Sequence, residues 1–290
     1  MAIGDRLVIA DKPTLDEIKV QVGETTDMGG LNTGSNAGKL NTAIKKVDET
    51  QQKVTQGNDD IKTVIKLLSF GQWENGNPGT YSVKIPETID KILVTACGGG
   101  GAGGSMKASR EFIVSGGGGG GGGQAIVDKM FTVTPGTTLS ITIGQGGYPK
   151  TTDNLSGNAG TATIISNLIT LTGGMGGDGA KGRIWTYGGT AGGTGGGNGG
   201  NGGVDGAEGS NGIDGVTGKG GAGATPPGSN WSGGGGGGGS LGNGGTSNGY
   251  YTGNGYHGGG GSGANGAKLS GDIIKGGYGG DGYVKITWGA

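Results

Sequence analysis

Apolar residues between positions 40 and 68 recur with strict 4-3 spacing: Leu40, Ile44, Val47, Gln51, Val54, Asn58, Ile61, Ile65 and Leu68. Seven of these nine are apolar, and lysines and acids such as Lys45, Asp48, Glu49, Lys53, Asp59 and Lys62 fall mostly between them. Heptads of this kind predict a coiled coil. Ile44, Gln51, Asn58 and Ile65 take the a positions, and Leu40, Val47, Val54, Ile61 and Leu68 the d positions. β-branched residues in both sets favour three strands, so a short parallel homotrimer is expected over 39–70. Gln51 and Asn58 would form buried polar layers that fix register. The alternative is one amphipathic helix packed on a globular core. Gly57 weakens either helix by roughly 1 kcal/mol.

Upstream, Arg6-Leu7-Val8-Ile9-Ala10 reads as a strand, and Pro13 opens a possible short helix through Ile18. Residues 23–38 read as linker, so 1–38 is expected to be a small head and its connection. Downstream the period changes to two. Tyr81, Val83 and Ile85 alternate, then Ile92, Val94 and Ala96, which makes 71–97 a β-strand collar. Phe131 and Val133 alternate, then Leu139, Ile141 and Ile143 after a Pro135-Gly136 turn. Ala162, Ile164 and the 168–171 run suggest another strand, and the chain ends on Val284, Ile286 and Trp288. Trp73 and Trp288 are expected in the core.

Composition changes this picture after residue 97. Of 82 glycines in 290 residues, ten precede Gly98; ordinary usage is about 7%. Runs occupy Gly98–Gly101, Gly116–Gly123, 188–203, Gly233–Gly239 and Gly258–Gly261, and from Gly197 to Gly221 glycine recurs at every third residue. A flexible linker is the usual meaning of such sequence, but strands lie before, between and after these runs. A collagen triple helix needs this triplet period, yet no proline falls within the triplets. A bundle of polyglycine II helices, each pairing with its neighbours, would satisfy the backbone without side chains. A glycine-rich β-sandwich is the remaining packing. The fold class expected is therefore mixed: head, trimeric coiled coil, then strands framing a glycine-rich domain over 98–290, with the polyglycine bundle favoured.

A net charge of −1 gives no steering toward nucleic acid, and no apolar run is long enough for membrane insertion. The N-terminus carries no secretory signal pattern. Cys97 is the only cysteine and reads as a small buried residue ending a strand. His257 is the only histidine, which rules out multi-histidine metal sites, and with no nucleophile near it in the sequence it offers no catalytic triad. No cofactor is expected: matches to G-x-G-x-x-G follow from composition and none sits in a βαβ unit. A glycan-cleaving carboxylate pair among Asp153, Asp178, Asp205, Glu208 and Asp214 stays as an alternative, as does ice binding. Neither is favoured, and no catalytic role is assigned.

Residues 79–101, from Gly-Thr-Tyr-Ser-Val-Lys-Ile-Pro to Thr-Ala-Cys-Gly-Gly-Gly-Gly, resemble the opening of glycine-rich domains in phage tail fibres. The likeness continues through the glycine run and Phe131-Thr-Val-Thr-Pro-Gly-Thr-Thr-Leu-Ser-Ile-Thr-Ile-Gly, and again in Gly279-Gly280-Asp281-Gly282-Tyr283-Val284-Lys285-Ile286-Thr287-Trp288. The resemblance implies a fibre-tip protein of a phage or phage-tail-like bacteriocin. Its partners would be a bacterial surface receptor, glycan or protein, and a baseplate or preceding fibre segment held by residues 1–30. It would reside on the virion and act outside the cell. With its own head and coiled coil, the chain is expected to be a complete short fibre.

Contacts would then come from side-chain-rich loops between glycine tracts, because aromatics and arginine dominate binding surfaces. The candidates are Met106 and Arg110; Arg183, Trp185 and Tyr187; Trp231; and Tyr250, Tyr251, Asn254, Tyr256 and His257. The competing reading is that these rings cover the ends of the glycine scaffold.

Overall fold

A computed structural model describes residues 36–68, 70–107, 116–152, 155–180, 197, 210–224, 231–232, 234–248, 251–267 and 273–289. The expected strand at 6–10 and helix at 13–18 lie outside them. The chain divides into two units, Met1–Val64 and Ile65–Ala290.

Among the described residues one helix, α1 (Asn36–Leu68), spans the first unit and the opening residues of the second. Local side-chain bonds support it: Thr50 and Thr55 hydroxyls donate to the carbonyls of Lys46 and Gln51, Gln56 donates to Asp60, and Lys62 pairs with Asp59. The expected trimeric coiled coil is corrected here. α1 is a single helix, no coiled coil is present among the described residues, and the seam positions Val47 and Ile61 are 48% and 58% exposed. Gln51, Asn58 and the neighbouring Gly57 interrupt the apolar stripe, and Val64, off the seam, is exposed as well.

The second unit is also corrected, because its regular structure is β rather than a helix bundle. The strands among its described residues are β1 (Gly71–Asn75), β2 (Gly79–Lys84), β3 (Lys91–Cys97), β4 (Met106–Lys107), β5 (Ala125–Thr132), β6 (Thr138–Ile143), β7 (Thr163–Ile165), β8 (Ile169–Leu171), β9 (Trp231–Ser232), β10 (Gly266–Ala267), β11 (Ile273–Ile274) and β12 (Tyr283–Trp288). Two antiparallel sheets have the orders β1-β12-β3-β5 and β2-β6-β7-β8. β9-β10 and β4-β11 form two short ribbons. Alternation places Ile92, Val94, Ala96, Val284 and Ile286 on the inner face of the first sheet. Val83, Leu139, Ile141, Ile143, Ile165 and Leu171 line the second, and all share one core. Trp73 and Trp288 pack against its margin. β1 and β3, from the expected collar, pair with β12 and β5 from the expected glycine-rich domain, so the two segments build one sheet.

Turn chemistry follows the residues. Pro135-Gly136 makes the tight turn after β5, with Gly136 at φ 75° and the Thr137 N–H donating to the Thr134 carbonyl. Asn167, at φ 58°, sits in the turn that divides the expected 162–171 strand into β7 and β8, and the faces of β7 are the reverse of those expected: Thr163 and Ile165 are buried while Ile164 is exposed. A bulge between Val94 and Ala96 places Asp128 at φ 44°, where it exchanges two 2.9 Å bonds with Thr95.

The glycine tracts run out from the sheets and back. Segments 98–105, 144–152, 172–180, 241–248 and 258–265 lead away; 116–124, 155–162, 234–240, 251–257 and 276–282 return. None of the described backbone–backbone bonds lies within one of these tracts. Successive residues donate to different neighbours in rotation: Gly99, Ala102 and Ser105 to Thr161, Asn158 and Leu155; Gly100 and Gly103 to Gly280 and Gly277; Gly101 and Gly104 to Gly121 and Gly118. The backbone polar groups are thereby paired in the interior without forming a ladder.

Candidate functional site

The tracts have two ends. At the sheet end, Gly98, Gln124 and Thr172 bond to one another where β3, β5 and β8 meet the glycine. At the other end, the loop end, the hydrogen-bond map joins the flanks of the candidate loops. Ala180 donates to the Ser105 carbonyl, Gly117 to Ala264, Ala224 to Gly234 and Gly235 to Gly117. Ser247 donates to the Ala222 carbonyl and, through its hydroxyl, to Asn265, which also accepts from Gly234. The described flanks of the candidate loops, 105–107, 180, 224, 231, 248 and 251, thus all lie at this one end. Arg110, Arg183, Trp185, Tyr187 and Tyr250 lie outside the described residues. Trp231 enters the β9-β10 ribbon there, and Tyr251 is 74% exposed beside the bridge it makes with Asn248.

Two expectations change. Met106 is buried, not presented; it packs with Ala180, Ala264 and Ile274 beneath the loop end. Residues 251–257, read as part of a loop, form a return tract. It carries Asn254, Tyr256 and His257 away from Tyr251 to the sheet end.

There these three residues line an open cleft of about 390 Å³ with Asn77, Tyr278 and Asp281. The chain reverses at 256–259, where the Gly259 N–H donates to the Tyr256 carbonyl at 2.9 Å. Both central residues have positive φ, 36° at His257 and 78° at Gly258. Gly258 takes this freely; His257 is of a type found there more often than most non-glycine residues, but still at a cost in backbone energy. Ring stacking accompanies the strained residue: His257 lies 3.8 Å from the Tyr256 ring on one side and 4.6 Å from Tyr283 on the other. Tyr283 donates its hydroxyl to Glu74 at 3.1 Å. Burial pushes the Tyr283 phenol up to about 12, with the Glu74 bond adding to it. Burial also holds His257 below its ordinary value, against a smaller upward pull from Glu74.

Across the cleft Tyr278 meets Tyr148 edge-on at 5.7 Å. The Tyr278 N–H donates to Asn254 Oδ1, and the Gly146 N–H to Asp281 Oδ1. Asn77, Tyr278, Asp281 and the supporting pair Glu74 and Tyr283 escaped the sequence reading. Only the Tyr278 and Tyr283 rings, spaced by glycine and aspartate, gave a signal there.

Among the described residues no group of three His, Cys, Asp or Glu could hold a metal. Of the carboxylates weighed for glycan cleavage, Asp178 accepts from Ser156. Asp214 is paired with Lys219 at 2.8 Å, a bond that lowers its pKa, assisted by the Gly220 N–H. The other three lie outside the described residues. No described helix is long and apolar enough to cross a membrane.

A family model for a glycine-rich domain matches residues 75–289. The match covers most of the chain, and the protein belongs to this glycine-rich domain family. No curated protein gives a significant match.

Proposed function

We propose that this is an adhesive protein of the phage tail-fibre kind, whose glycine-rich domain presents loops to a receptor on a bacterial surface. The observation that carries this reading is that the described flanks of the candidate segments, 105–107, 180, 224, 231, 248 and 251, gather at one end of the tracts. A scaffold of backbone bonds with few side chains of its own leaves recognition to the segments it displays. Those segments hold Arg110, Arg183, Trp185, Tyr187, Trp231 and Tyr250, the residue types that anchor interfaces. In this reading residues 1–30 attach the protein to its particle, and the site of action is the outside of the host cell.

The test is cell binding by the fluorescently labelled full chain. Replacing residues 225–230 by a glycine-serine segment of equal length is expected to abolish or redirect binding. A thermal unfolding profile matching the wild type would show that the scaffold is intact. Unchanged binding to the same strains by this variant and by the equivalent 181–187 variant would refute the reading.

A further inference from the structure

We propose that the cleft bounded by Asn77, Asn254, Tyr256, Tyr278 and Asp281 is a carbohydrate site for one neutral or amino pyranose unit, with the Tyr256 ring as its stacking platform. It lies at the sheet end of the tracts, away from the loop end, so it neither requires nor restates the adhesive reading.

Four features carry the inference. The first is a ring that is exposed yet held. Tyr256 is 65% exposed, but one face rests on His257, which rests on Tyr283, whose hydroxyl is tied to Glu74. A pre-stacked side chain loses little rotamer freedom when a ligand covers its free face. No apolar core lies beyond Tyr256 for it to complete.

The second is backbone strain in the support. His257, under the platform, is one of three described non-glycine residues with positive φ. Such strain concentrates at ligand sites.

The third is a rim of half-used polar groups. Asn254 gives Oδ1 to the Tyr278 N–H, which orients the amide and leaves its Nδ2 group to donate. Asp281 gives Oδ1 to Gly146, which leaves Oδ2 to accept. Donor and acceptor beside a flat ring suit adjacent sugar hydroxyls, which do both. The volume sits near the lower bound of ligand clefts, about 300–1,000 Å³, and its open side lets the rest of a glycan chain leave.

The fourth is charge. Asp281 is the one charged side chain of the lining, since His257 is held toward its neutral form. A carboxylate there repels uronic and sialic acids and favours hydroxyl or ammonium groups.

Saturation-transfer NMR on the full chain with the methyl glycosides of glucose, galactose, N-acetylglucosamine, glucosamine and glucuronic acid tests this. Methyl glycosides mimic a chain-linked residue, and the free sugars run alongside separate that source from monosaccharide. At least one neutral or amino glycoside should show transfer, with the glucuronide weaker by about tenfold or more. Tyr256→Ala should lower affinity about tenfold or more, and Tyr256→Phe should keep it. Asn254→Asp keeps the acceptor for Tyr278, removes the donor and should lose binding. Met130→Ala, exposed on β5 and outside both the cleft and the candidate loops, should bind as wild type. Absence of transfer from every neutral and amino glycoside would overturn the proposal, as would a preference for the glucuronide or unchanged binding by Tyr256→Ala. None of these outcomes bears on cell binding by the loop-exchange variants.

Discussion

The hydroxyl of Thr163 donates to the Cys97 carbonyl at 2.7 Å and accepts from the Gly144 N–H at 3.0 Å. Thr163 is fully buried on β7, Cys97 ends β3 in the other sheet, and Gly144 begins an outgoing tract. One side chain therefore ties both sheets to the glycine scaffold where strand pairing stops. Thr163→Val preserves shape, removes the hydroxyl that bonds the Cys97 carbonyl and takes away the partner of the Gly144 N–H. A loss of about 1–3 kcal/mol is expected. Urea unfolding should show a lower midpoint at an unchanged slope, and a midpoint within error of wild type would remove Thr163 from this role.

Glycine is required in the tracts for want of space. A Cβ at Gly120 would lie 2.1 Å from the Gly101 carbonyl oxygen, and one at Gly101 would lie 2.0 Å from that of Met175. Neither neighbour is a side chain that can swing away. Gly120→Ala should cost more than about 4 kcal/mol, since overpacking adds to broken backbone bonds. Gly57 in α1 is the contrast, with nothing within 4 Å of an added Cβ. Gly57→Ala should raise helicity and stabilise α1 by about 0.8–1 kcal/mol. Circular dichroism and expression of the two variants check the pair; a well-folded Gly120→Ala protein would mean that the tracts are not close-packed at that point.

Burial pushes the Cys97 thiol up to about 12, and the residue is fully covered. The thiolate is the reactive form, so native protein should resist iodoacetamide near neutral pH and react with one equivalent after denaturation. Rapid alkylation of the native protein would show that the sheet end opens.

The framing strands were legible because each is half-buried in a shared core. Tyr81-Val83-Ile85, Ile92-Val94-Ala96 and Val284-Ile286-Trp288 alternate as a two-sided sheet demands. β7 and β8 were read out of register, since Asn167 carries the positive φ there and no glycine marks it. β4, β9, β10 and β11 have two residues each and are set by the meeting of tract ends, a long-range event without local pattern. The heptads misled because period shows only that one helical face is apolar, not that a partner covers it. At the site, Tyr256 and His257 could be singled out by type. Their separation from Tyr251 could not, because direction along a glycine tract leaves no side-chain trace.

His257 gives the cleft a dependence on acid. Burial holds its folded-state pKa below the ordinary 6.5, and the opposing pull of Glu74 is the smaller effect. The unfolded chain therefore takes up a proton at a higher pH than the folded one. Above about pH 6.5 neither form is protonated and the full stability of the stack is present. As pH falls below that value protonation favours unfolding, and the contribution is lost by the time the folded-state pKa is passed. The groups facing the imidazole are the Tyr256 and Tyr283 rings, with Glu74 bonded to Tyr283 behind them. His257→Asn keeps a residue that tolerates positive φ and removes the titration. Melting temperatures measured from about pH 7.5 down to about pH 5 should fall more steeply for wild type than for His257→Asn. Near-UV circular dichroism should lose tyrosine signal over the same range only in wild type. Parallel curves would mean that protonation of His257 is accommodated in the folded stack, with Glu74 compensating for the burial.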